Sequence, residues 1–343
     1  MLEIDGSQGE GGGQIVRSSL ALSLLTGKSF RIFNLRAGRK KPGLKRQHLT
    51  AVLAAAEVGN ANVAGAEIGS SEIIFEPDTI VPGEYRFQIS TAGSINLVLQ
   101  TVLPALMMAD RPSKLTLAGG THNMLAPPFD FLKRCYIPLL NRMGPSVELK
   151  LNRYGFYPAG GGEFEAEITP ADRMQGIEIE SRGKIVQRRV RAIVSSLPIE
   201  IAKRETARVV RKLNWDRAVE EHLDAPDPAG PGNILFAELE FENLTTMFSG
   251  FGRQGVSAEK VADGVVREVR RYLKTDAPVG EHLADQLMLP MAIAANFSDA
   301  KSKFRTGPLS QHSLTHADII QLFFDVEVCV EEASNGTCCV SVG

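Results

Sequence analysis

Residues 1–27 have the sequence MLEIDGSQGEGGGQIVRSSLALSLLTG, in which a short strand-like segment, a glycine cluster and a helix follow one another. Residues 2–5 are typical of a strand, and apolar residues recur at helical spacing from about Gln14 to Thr26. Gly27 stands directly after the last of them, where glycine commonly ends a helix. A strand that leads through a glycine turn into a helix predicts an α/β unit.

The same order of elements returns along the chain. The first unit continues with a strand, a helix and a strand over residues 30–36, about 46–58 and 72–76. A second unit repeats the order. It has a strand over residues 85–90, a helix that follows the small residues 92–94 and runs to 108, a strand over residues 114–118 and a helix over residues 127–143. A third can be assembled from a strand, two helices and a closing hairpin over residues 176–181, about 280–294, about 313–323 and on both sides of Asn335-Gly336.

The stretch 182–277 separates the first strand of the third unit from the remainder of that unit and has strands, helices and an acidic loop of its own. The predicted fold class is therefore α/β (α+β), with three repeated units, each a β-sheet with two helices on one face, plus a small inserted α/β domain. The predicted main domain comprises residues 1–181 and 278–343, and the predicted inserted domain comprises residues 182–277.

The composition is that of an ordinary globular protein, with 43% hydrophobic and 23% charged residues. A formal net charge of -2 excludes a protein that binds nucleic acid simply by being basic, so any such contact must use a local basic patch. The four cysteines show no CxxC spacing and are expected to be thiols. The apolar run Ala92–Ala109 contains Asn96, Gln100 and Pro104, which fit a buried helix better than a membrane span. We therefore expect a cytoplasmic protein with no membrane contact.

The clearest basic patch is RAGRKKPGLKR at residues 36–46, which carries six cations and no acid. One interpretation is that such a run is nothing more than a solvated loop. Three features favour an anion site instead: the chain as a whole is slightly acidic, Arg17 projects from the neighbouring helix, and guanidinium groups suit phosphate oxygens. Gln47 and His48 add neutral donors directly after the run. A terminal phosphate or a polyphosphate is the expected ligand.

The glycine cluster Gly9–Gly13 lies between a predicted strand and a predicted helix, so an anion could bind at the helix N-terminus. A tight turn that needs unusual backbone angles is the equally good alternative. The spacing excludes a Rossmann dinucleotide site, because Gln14 stands where the third glycine belongs. Gly27-Lys28-Ser29 is likewise no Walker A loop, since Leu22 replaces its first glycine.

Two polar positions occur in otherwise apolar helices. Gln100 must find a hydrogen-bond partner if it is buried, either a backbone carbonyl or a nucleotide. The segment His282–Gln286 begins a helix, where an acid and an amide are also explained by helix capping and the helix dipole. The sequence alone leaves both alternatives open at both positions.

His312, one of six histidines, lies in the segment Pro308–His316, just before an apolar-periodic helix. A histidine at a helix N-terminus can have a lowered pKa and keep a ring nitrogen able to attack. The chain has no HEXXH, CxxC or GxSxG spacing, which excludes the corresponding metallohydrolases and serine hydrolases.

Taken in order, these segments resemble the RNA 3′-terminal phosphate cyclase family over nearly the whole chain. The segments that carry the resemblance are DGSQGEGGGQIVRSSLALS, LRAGRKKPGLKRQHLTAV, AGSINLVLQTVLPAL, APPFDFLKR, YGFYPAGGGE, GPGN, VSAEKVADGVVREVRRYL, VGEHLADQLMLPMA and the segment around His312. The resemblance implies three related units with a small domain inserted into the third. It also implies an enzyme that uses ATP and a divalent metal, Mg or Mn, to convert an RNA 3′-phosphate to a 2′,3′-cyclic phosphodiester, releasing AMP and diphosphate.

The resemblance assigns a role to each candidate site residue. His312 would be the adenylylated nucleophile and Glu10 the metal ligand. Pro127 or Pro128, with a phenylalanine from residues 246–252, would flank the adenine. The expected ATP-binding residues are Gln100, Pro127, His282, Leu283, Ala284, Asp285 and Gln286, and the expected phosphate- or RNA-binding residues are Arg17, Arg36, Arg39 and Gln47.

The chain departs from the family pattern at three positions. The family often has tyrosine where this chain has His282, asparagine where it has His316, and an acid or amide near His122. The alternative function is a non-catalytic cyclase-like ribosome-assembly factor, but those relatives lack the histidine at position 312. A carboxyvinyl transferase is a second alternative, and it needs no histidine nucleophile. The resemblance implies an RNA partner with a 3′-terminal phosphate and no protein partner.

Overall fold

The first sheet is built by the N-terminal part of the chain. The computed structural model describes residues 1–9, 11–333 and 336–343. The first elements are β1 (Leu2–Asp5), α1 (Gln14–Thr26), β2 (Phe30–Phe33), α2 (Arg46–Val58), β3 (Asn62–Ala64) and β4 (Ile73–Glu76). The strands lie in the order β1-β2-β4-β3; β1 and β2 are parallel, and the other two pairs are antiparallel.

The second sheet has the same pattern. Its elements are β5 (Glu84–Gln88), α3 (Asn96–Leu106), β6 (Ser113–Gly119), α4 (Phe129–Phe131), a π-helical turn (Leu132–Tyr136), α5 (Ile137–Asn141), β7 (Ser146–Arg153) and β8 (Gly162–Thr169). The strand order is β5-β6-β8-β7, again with one parallel pair followed by two antiparallel pairs.

A sheet with a different strand order follows the short strand β9 (Glu178–Ile179). Its elements are β10 (Ile185–Ser195), α6 (Ile199–Leu213), β11 (Val219–Asp224), β12 (Gly232–Phe241), β13 (Thr245–Phe251) and α7 (Ala258–Leu273). The strand order is β11-β10-β12-β13, and a separate hydrophobic cluster that includes Val209, Trp215 and Val265 packs beneath it. We call this part of the molecule, residues 185–273, the β10–α7 layer.

The last sheet combines β9 with the C-terminal part of the chain. The remaining elements are α8 (Glu281–Ser298), β14 (Ser302–Thr306), α9 (Gln311–Phe323), β15 (Val328–Glu332) and β16 (Cys338–Val342). The strand order β9-β14-β16-β15 again has one parallel pair followed by two antiparallel pairs. The mixed α/β class is thereby confirmed, and we call the three sheets of this pattern and their helices the main body.

Two of the differences from the elements expected from the sequence have a clear local cause. The strand expected over residues 30–36 ends at Phe33, because Asn34 and Arg36 both adopt φ of 55° and turn the chain. The helix expected over residues 127–143 contains the π-helical turn Leu132–Tyr136, directly before Pro138, which has no N–H to donate to the preceding turn. The expected turn residue Asn335 lies outside the described residues.

The helices of the main body share one hydrophobic core. α1 packs against α3 and α9, and α8 packs against α9. Gly27 ends α1 in the left-handed conformation, with φ of 70°, as its position in the sequence predicts. Within the described residues, no helix has both the length and the apolar character needed to cross a membrane.

Candidate active site

Three helices of the main body meet at the carboxylate of Asp285. Gln14, the first residue of α1, donates from Nε2 to Asp285 Oδ1 at 2.7 Å. His312, in the first turn of α9, places Nδ1 3.0 Å from the same oxygen. His316, one turn later, places Nδ1 3.3 Å from it and 3.1 Å from the backbone carbonyl of Asp285. One carboxylate therefore holds groups from α1 and α9 against α8.

The local sequence explains why His312 stands at the start of a helix. Ser310 caps α9 by accepting a hydrogen bond from the Ser313 N–H at 3.3 Å. The glycine turn after β1 passes directly against the same helix, because Gly9 adopts φ of 56° and a Cβ there would overlap the Thr315 hydroxyl. Glycine is thus required at position 9 by both the backbone angle and the close approach.

Asp285 is 8% exposed and remains a carboxylate. Burial by itself would raise its pKa, but the hydrogen bonds from His312 and His316 hold the pKa well below its usual value. An ionised carboxylate accepts hydrogen bonds only, so it favours the His312 tautomer that carries the proton on Nδ1. That tautomer leaves the lone pair on Nε2, the atom that can act as a nucleophile.

His312 opens onto a large cleft. Its side chain is 36% exposed, whereas that of His316 is 8% exposed. The cleft has a volume of about 1740 Å³ and extends from the α1, α8 and α9 ends to β13 and α7 of the β10–α7 layer. The sequence-predicted site residues that line it are Arg17, Arg36, Arg39, Gln47, Gln100, Pro127, His282, Asp285, Gln286 and His312.

The arginine-rich segment forms one wall of this cleft. Arg36 donates from one terminal nitrogen to the carbonyls of Lys41 at 3.0 Å and Gly43 at 2.8 Å, which ties the loop together. Burial, together with the charge of Arg39, lowers the pKa of Arg36, but a guanidinium stays charged at any physiological pH. Gln47 accepts a hydrogen bond from the Ser94 N–H at 3.2 Å. The wall therefore presents cations on a loop whose backbone is internally hydrogen-bonded.

His48 adds a neutral group to the same wall. Burial, with the charges of Arg17, Arg36 and Lys45, lowers the pKa of His48 to about 3. Its Nδ1 accepts a hydrogen bond from the Lys45 N–H at 3.2 Å, so the ring proton is on Nε2. A Cβ at Gly13 would overlap that nitrogen, so Nε2 lies against the backbone of the glycine cluster. His48 is thus a neutral donor among cations.

Some of the residues expected to bind ATP line the cleft, and others are buried in the hydrophobic core. Gln100 and Gln286 line the cleft and are hydrogen-bonded to each other through their side-chain amides. Leu283 and Ala284 are 2% and 0% exposed and belong to the hydrophobic core, so their side chains do not line the cleft. Phe248 and Phe251 of β13 also line the cleft, as do Pro127 and Pro128.

The metal prediction rests on Glu10, which lies outside the described residues. Within residues 1–9, 11–333 and 336–343, no group of three or more His, Cys, Asp and Glu side chains could hold a metal ion. Asp285, the carboxylate of the cleft floor, already accepts hydrogen bonds from three side chains.

No site role was predicted for Gln14 from the sequence, and His316 was named only as a departure from the family pattern. The signal for Gln14 is its position: it is an amide at the first turn of a helix that is otherwise mostly buried. Arg253, Lys260 and Arg267 also line the cleft and were not predicted. Cations on an amphipathic helix such as α7 cannot be told from an ordinary solvated face by sequence.

The family model and the three relatives that follow agree on one family. A model of the RNA 3′-terminal phosphate cyclase family matches residues 8–330. A protein named RNA 3′-terminal phosphate cyclase from Koribacter versatilis is 47% identical, over 98% of this chain and 93% of the relative. Proteins of the same name from Pseudomonas fluorescens and Ectopseudomonas mendocina are 49% and 46% identical, over 96% and 97% of this chain and 94% and 95% of their own.

Among solved structures, the EPSP synthase from Acinetobacter baumannii matches with a TM-score of 0.29 and 12% identity, over 95% of this chain and 61% of that chain. A TM-score this low does not establish a shared fold.

Proposed function

The chain belongs to the RNA 3′-terminal phosphate cyclase family, and we propose that it uses ATP to convert an RNA 3′-terminal phosphate to a 2′,3′-cyclic phosphodiester. The observation that carries this proposal is the placement of His312. Its Nδ1 lies 3.0 Å from a buried carboxylate, and the residue lines a cleft that also contains Arg17, Arg36 and Arg39. A nucleophile beside several cations suits a reaction between phosphate groups.

The reaction needs a nucleophile because the RNA phosphate is a poor electrophile. A terminal phosphate monoester has no good leaving group, so the adjacent 2′-hydroxyl cannot displace oxide from it. In the first step, His312 Nε2 attacks the α-phosphorus of ATP, an N–P bond forms, and diphosphate leaves. The imidazole ring becomes positively charged, and the Asp285 carboxylate beside Nδ1 stabilises that charge.

Two further transfers complete the reaction. An oxygen of the RNA phosphate attacks the adenylyl phosphorus, the N–P bond breaks, and a mixed anhydride forms. The 2′-hydroxyl then attacks the RNA phosphorus, the bond to AMP breaks, and the hydroxyl proton is released. Only ribose has that hydroxyl, which explains a requirement for RNA. Arg17, Arg36 and Arg39 offset the repulsion between the phosphates, and Gln47 supports them as a neutral polar group.

For ATP, we propose that the adenine lies between Pro127 or Pro128 and Phe248 or Phe251, with Gln100, Gln286 and His282 as polar contacts. All seven residues line the cleft. Since the side chains of Leu283 and Ala284 are buried, these residues would contribute backbone groups at the start of α8. Asp285 would act through His312 rather than on the nucleotide.

For the metal, we propose that Glu10 binds a divalent ion together with phosphate oxygens of ATP. Magnesium is usually held by one or two carboxylates plus substrate phosphates, so a larger protein ligand set is not needed. The neighbours of Glu10 support the assignment, since Gly12 and Gly13 line the cleft and Gly9 contacts α9. The ion would neutralise phosphate charge there.

We also propose that the main body consists of three repeated units, and that residues 182–277 form an inserted domain. The three sheets with the same strand order and the same strand directions support the repeat. The separate hydrophobic cluster of the β10–α7 layer supports the insertion. The four cysteines are free thiols, which agrees with the cytoplasm as the proposed compartment.

The test is incubation of the protein with α-labelled ATP and Mg or Mn, without RNA. We expect a covalent label that is acid-labile and base-stable, as a histidyl phosphoramidate is. The label should disappear in His312→Ala and persist in His316→Ala, which is the matched control because both histidines contact Asp285. A wild-type protein that takes no label with either metal would instead support the non-catalytic alternative.

A further inference from the structure

The wall of the cleft that faces the arginine-rich loop belongs to the β10–α7 layer and is also basic. Arg253, Lys260 and Arg267 are exposed and line the cleft from the loop before α7 and from α7 itself. None of them has a role in the adenylylation chemistry described above. Cations from the arginine-rich loop and from the β10–α7 layer therefore line the same cleft as His312, and Glu268, the acid that α7 adds to this lining, is paired with Arg271.

The face of α7 that carries these cations has an open position in its middle. Lys260, Gly264 and Arg267 are spaced so that they lie on one side of the helix, and Val261 and Val265, about a quarter turn further round, pack into the hydrophobic cluster of the layer. A Cβ at Gly264 would meet only a terminal nitrogen of Arg267, at 3.8 Å. Glycine inside a helix is destabilising relative to alanine, and no neighbouring atom requires it here. The backbone between the two cations is therefore open to a close approach.

Arg204 and Arg208 of α6 are paired with acids of α7, whereas the three cleft cations have no ion-pair partner within the part of the chain that the structure describes. Arg204 pairs with Glu259, and Arg208 pairs with Asp263 through two hydrogen bonds of 2.9 Å each. By contrast, no carboxylate among the described residues lies within ion-pair distance of the three cleft cations, which are Arg253, Lys260 and Arg267. Their charge is thus available to a ligand in the cleft.

We propose that Arg253, Lys260, Gly264 and Arg267, the α7 strip, bind the sugar-phosphate backbone of the RNA strand upstream of its reacting 3′ end. This inference rests on the proposed function. A strand whose terminal phosphate reaches His312 must leave through the cleft, and cations with an open backbone position suit successive phosphates. Lys260 and Arg267 are about 10 Å apart along the helix axis. That distance corresponds to roughly three phosphates of a stacked strand.

The test compares a short substrate with a long one. The triple variant Arg253→Ala, Lys260→Ala, Arg267→Ala is assayed for cyclisation of a 3′-phosphorylated dinucleotide and of an oligonucleotide of about twelve residues. We expect KM for the long RNA to rise about tenfold at low salt, while KM for the dinucleotide stays within about twofold. The slope of log KM against log salt for the long RNA should fall by about two.

Two further variants sharpen the result. Arg211→Ala, Lys212→Ala, Arg217→Ala removes the same charge from exposed positions of the β10–α7 layer that do not line the cleft. This control should leave both KM values and the salt slope as in wild type. Gly264→Leu keeps every charge but fills the open position, and it should raise KM for the long RNA alone.

Several outcomes overturn the inference. If the cleft triple variant affects both substrates equally, the strip acts at the reacting groups and not on the strand. If both triple variants give the same change, only net charge matters; if neither changes KM for the long RNA, the strip serves another ligand, such as an acidic protein segment. If wild type takes no label from ATP and cyclises neither substrate, it is the proposed function that fails.

Discussion

Asp285 determines what His312 can do, because one of its oxygens accepts hydrogen bonds from groups on two other helices. Gln14 and His312 reach Oδ1 at 2.7 and 3.0 Å, and His316 approaches it at 3.3 Å. Within the described residues, the Gln14 side-chain oxygen and His316 Nε2 are buried and have no hydrogen-bond partner. Replacing the carboxylate changes the contacts of Gln14 and His312 together, whereas His316 Nδ1 also has the backbone carbonyl of Asp285 at 3.1 Å.

Asp285→Asn tests this arrangement with almost no change in shape. The amide is uncharged and can also donate, so it no longer favours the Nδ1–H tautomer of His312 or stabilises the imidazolium. We expect the rate of self-adenylylation to fall by about two orders of magnitude or more, with a smaller change in KM for ATP. Quench measurements of the labelled protein give both values. A rise in KM for ATP at an unchanged maximal rate would show instead that Asp285 contacts the nucleotide.

His48 makes a separate prediction about pH. Its pKa is lowered from 6.5 to about 3 by burial and by nearby cations, so the unfolded chain binds a proton between those pH values that the folded protein does not. Stability must therefore fall as pH falls through this window, by at most about 1.4 kcal/mol per pH unit for one proton. We expect His48→Gln, which stays neutral, to lose less free energy of unfolding than wild type between pH 6.5 and pH 4, as measured by urea titration. If the free energy of unfolding falls equally with pH in wild type and in His48→Gln, His48 does not cause the pH dependence.

How far the site can be predicted depends on whether its contacts are local. The sequence places His312 at the start of a helix, and the structure confirms that position. The contact between His312 and Asp285 joins α9 to α8, and the contact between Gln14 and Asp285 joins α1 to α8, so no spacing rule reveals them. The burial of Leu283 and Ala284 follows from the direction in which α8 packs, which the motif alone does not give.

At the scale of elements, glycine turns decide where helices begin and end. Gly27 is predictable from sequence because a helix end is a local event. The need for Gly9 is not, since it comes from the approach of Thr315 on α9, more than three hundred residues away in the sequence. The π-helical turn before Pro138 is also missed, because helical periodicity does not distinguish it from an α-helix.

Gly9 and Gly27 form a matched pair for measuring that contact. Both adopt positive φ, of 56° and 70°, but a Cβ at Gly27 meets nothing within 4 Å, whereas one at Gly9 overlaps Thr315. We expect Gly27→Ala to lower the free energy of unfolding by about 1 kcal/mol and Gly9→Ala by about 2–3 kcal/mol. Thermal unfolding compares the two variants. Self-adenylylation should fall only in Gly9→Ala, because its clash displaces the first turns of α9; equal losses in both variants would exclude this.

At the scale of the whole molecule, the cleft lies between parts of the chain that are far apart in sequence. The periodicity and the hairpin signal predict the order of elements, and the composition predicts a net charge of -2. Neither predicts that the loop at residues 36–46 and the strip on α7 line one cavity. Their meeting depends on how the β10–α7 layer docks on the main body, which is a matter of tertiary packing.

A partly buried ion pair connects the β10–α7 layer to the main body. Glu238 of β12 is 2% exposed. It accepts hydrogen bonds from Nε and, at 2.6 Å, from a terminal nitrogen of Arg134, which lies in the π-helical turn of the main body. Arg189 lies 3.4 Å from the same carboxylate. Removing one member of a buried pair leaves the other charge without compensation, which costs far more than the pair contributes to stability.

Because the Arg134 side chain left behind is 36% exposed, the cost is smaller than for a fully buried pair, and Glu238→Gln should lower the free energy of unfolding by about 1–2 kcal/mol, as measured by urea titration. The matched control is Glu259→Gln. Glu259 also accepts hydrogen bonds from Nε and a terminal nitrogen of one arginine, Arg204, but this pair is on the surface, where the side chains of Glu259 and Arg204 are 39% and 56% exposed. An exposed pair of this kind contributes about 0–1 kcal/mol, so the control should change little. Because Glu238 joins the β10–α7 layer to the main body, its loss should also raise KM for a long RNA more than the rate of self-adenylylation falls. Equal stability losses in the two variants would mean that this contact does not hold the two parts together.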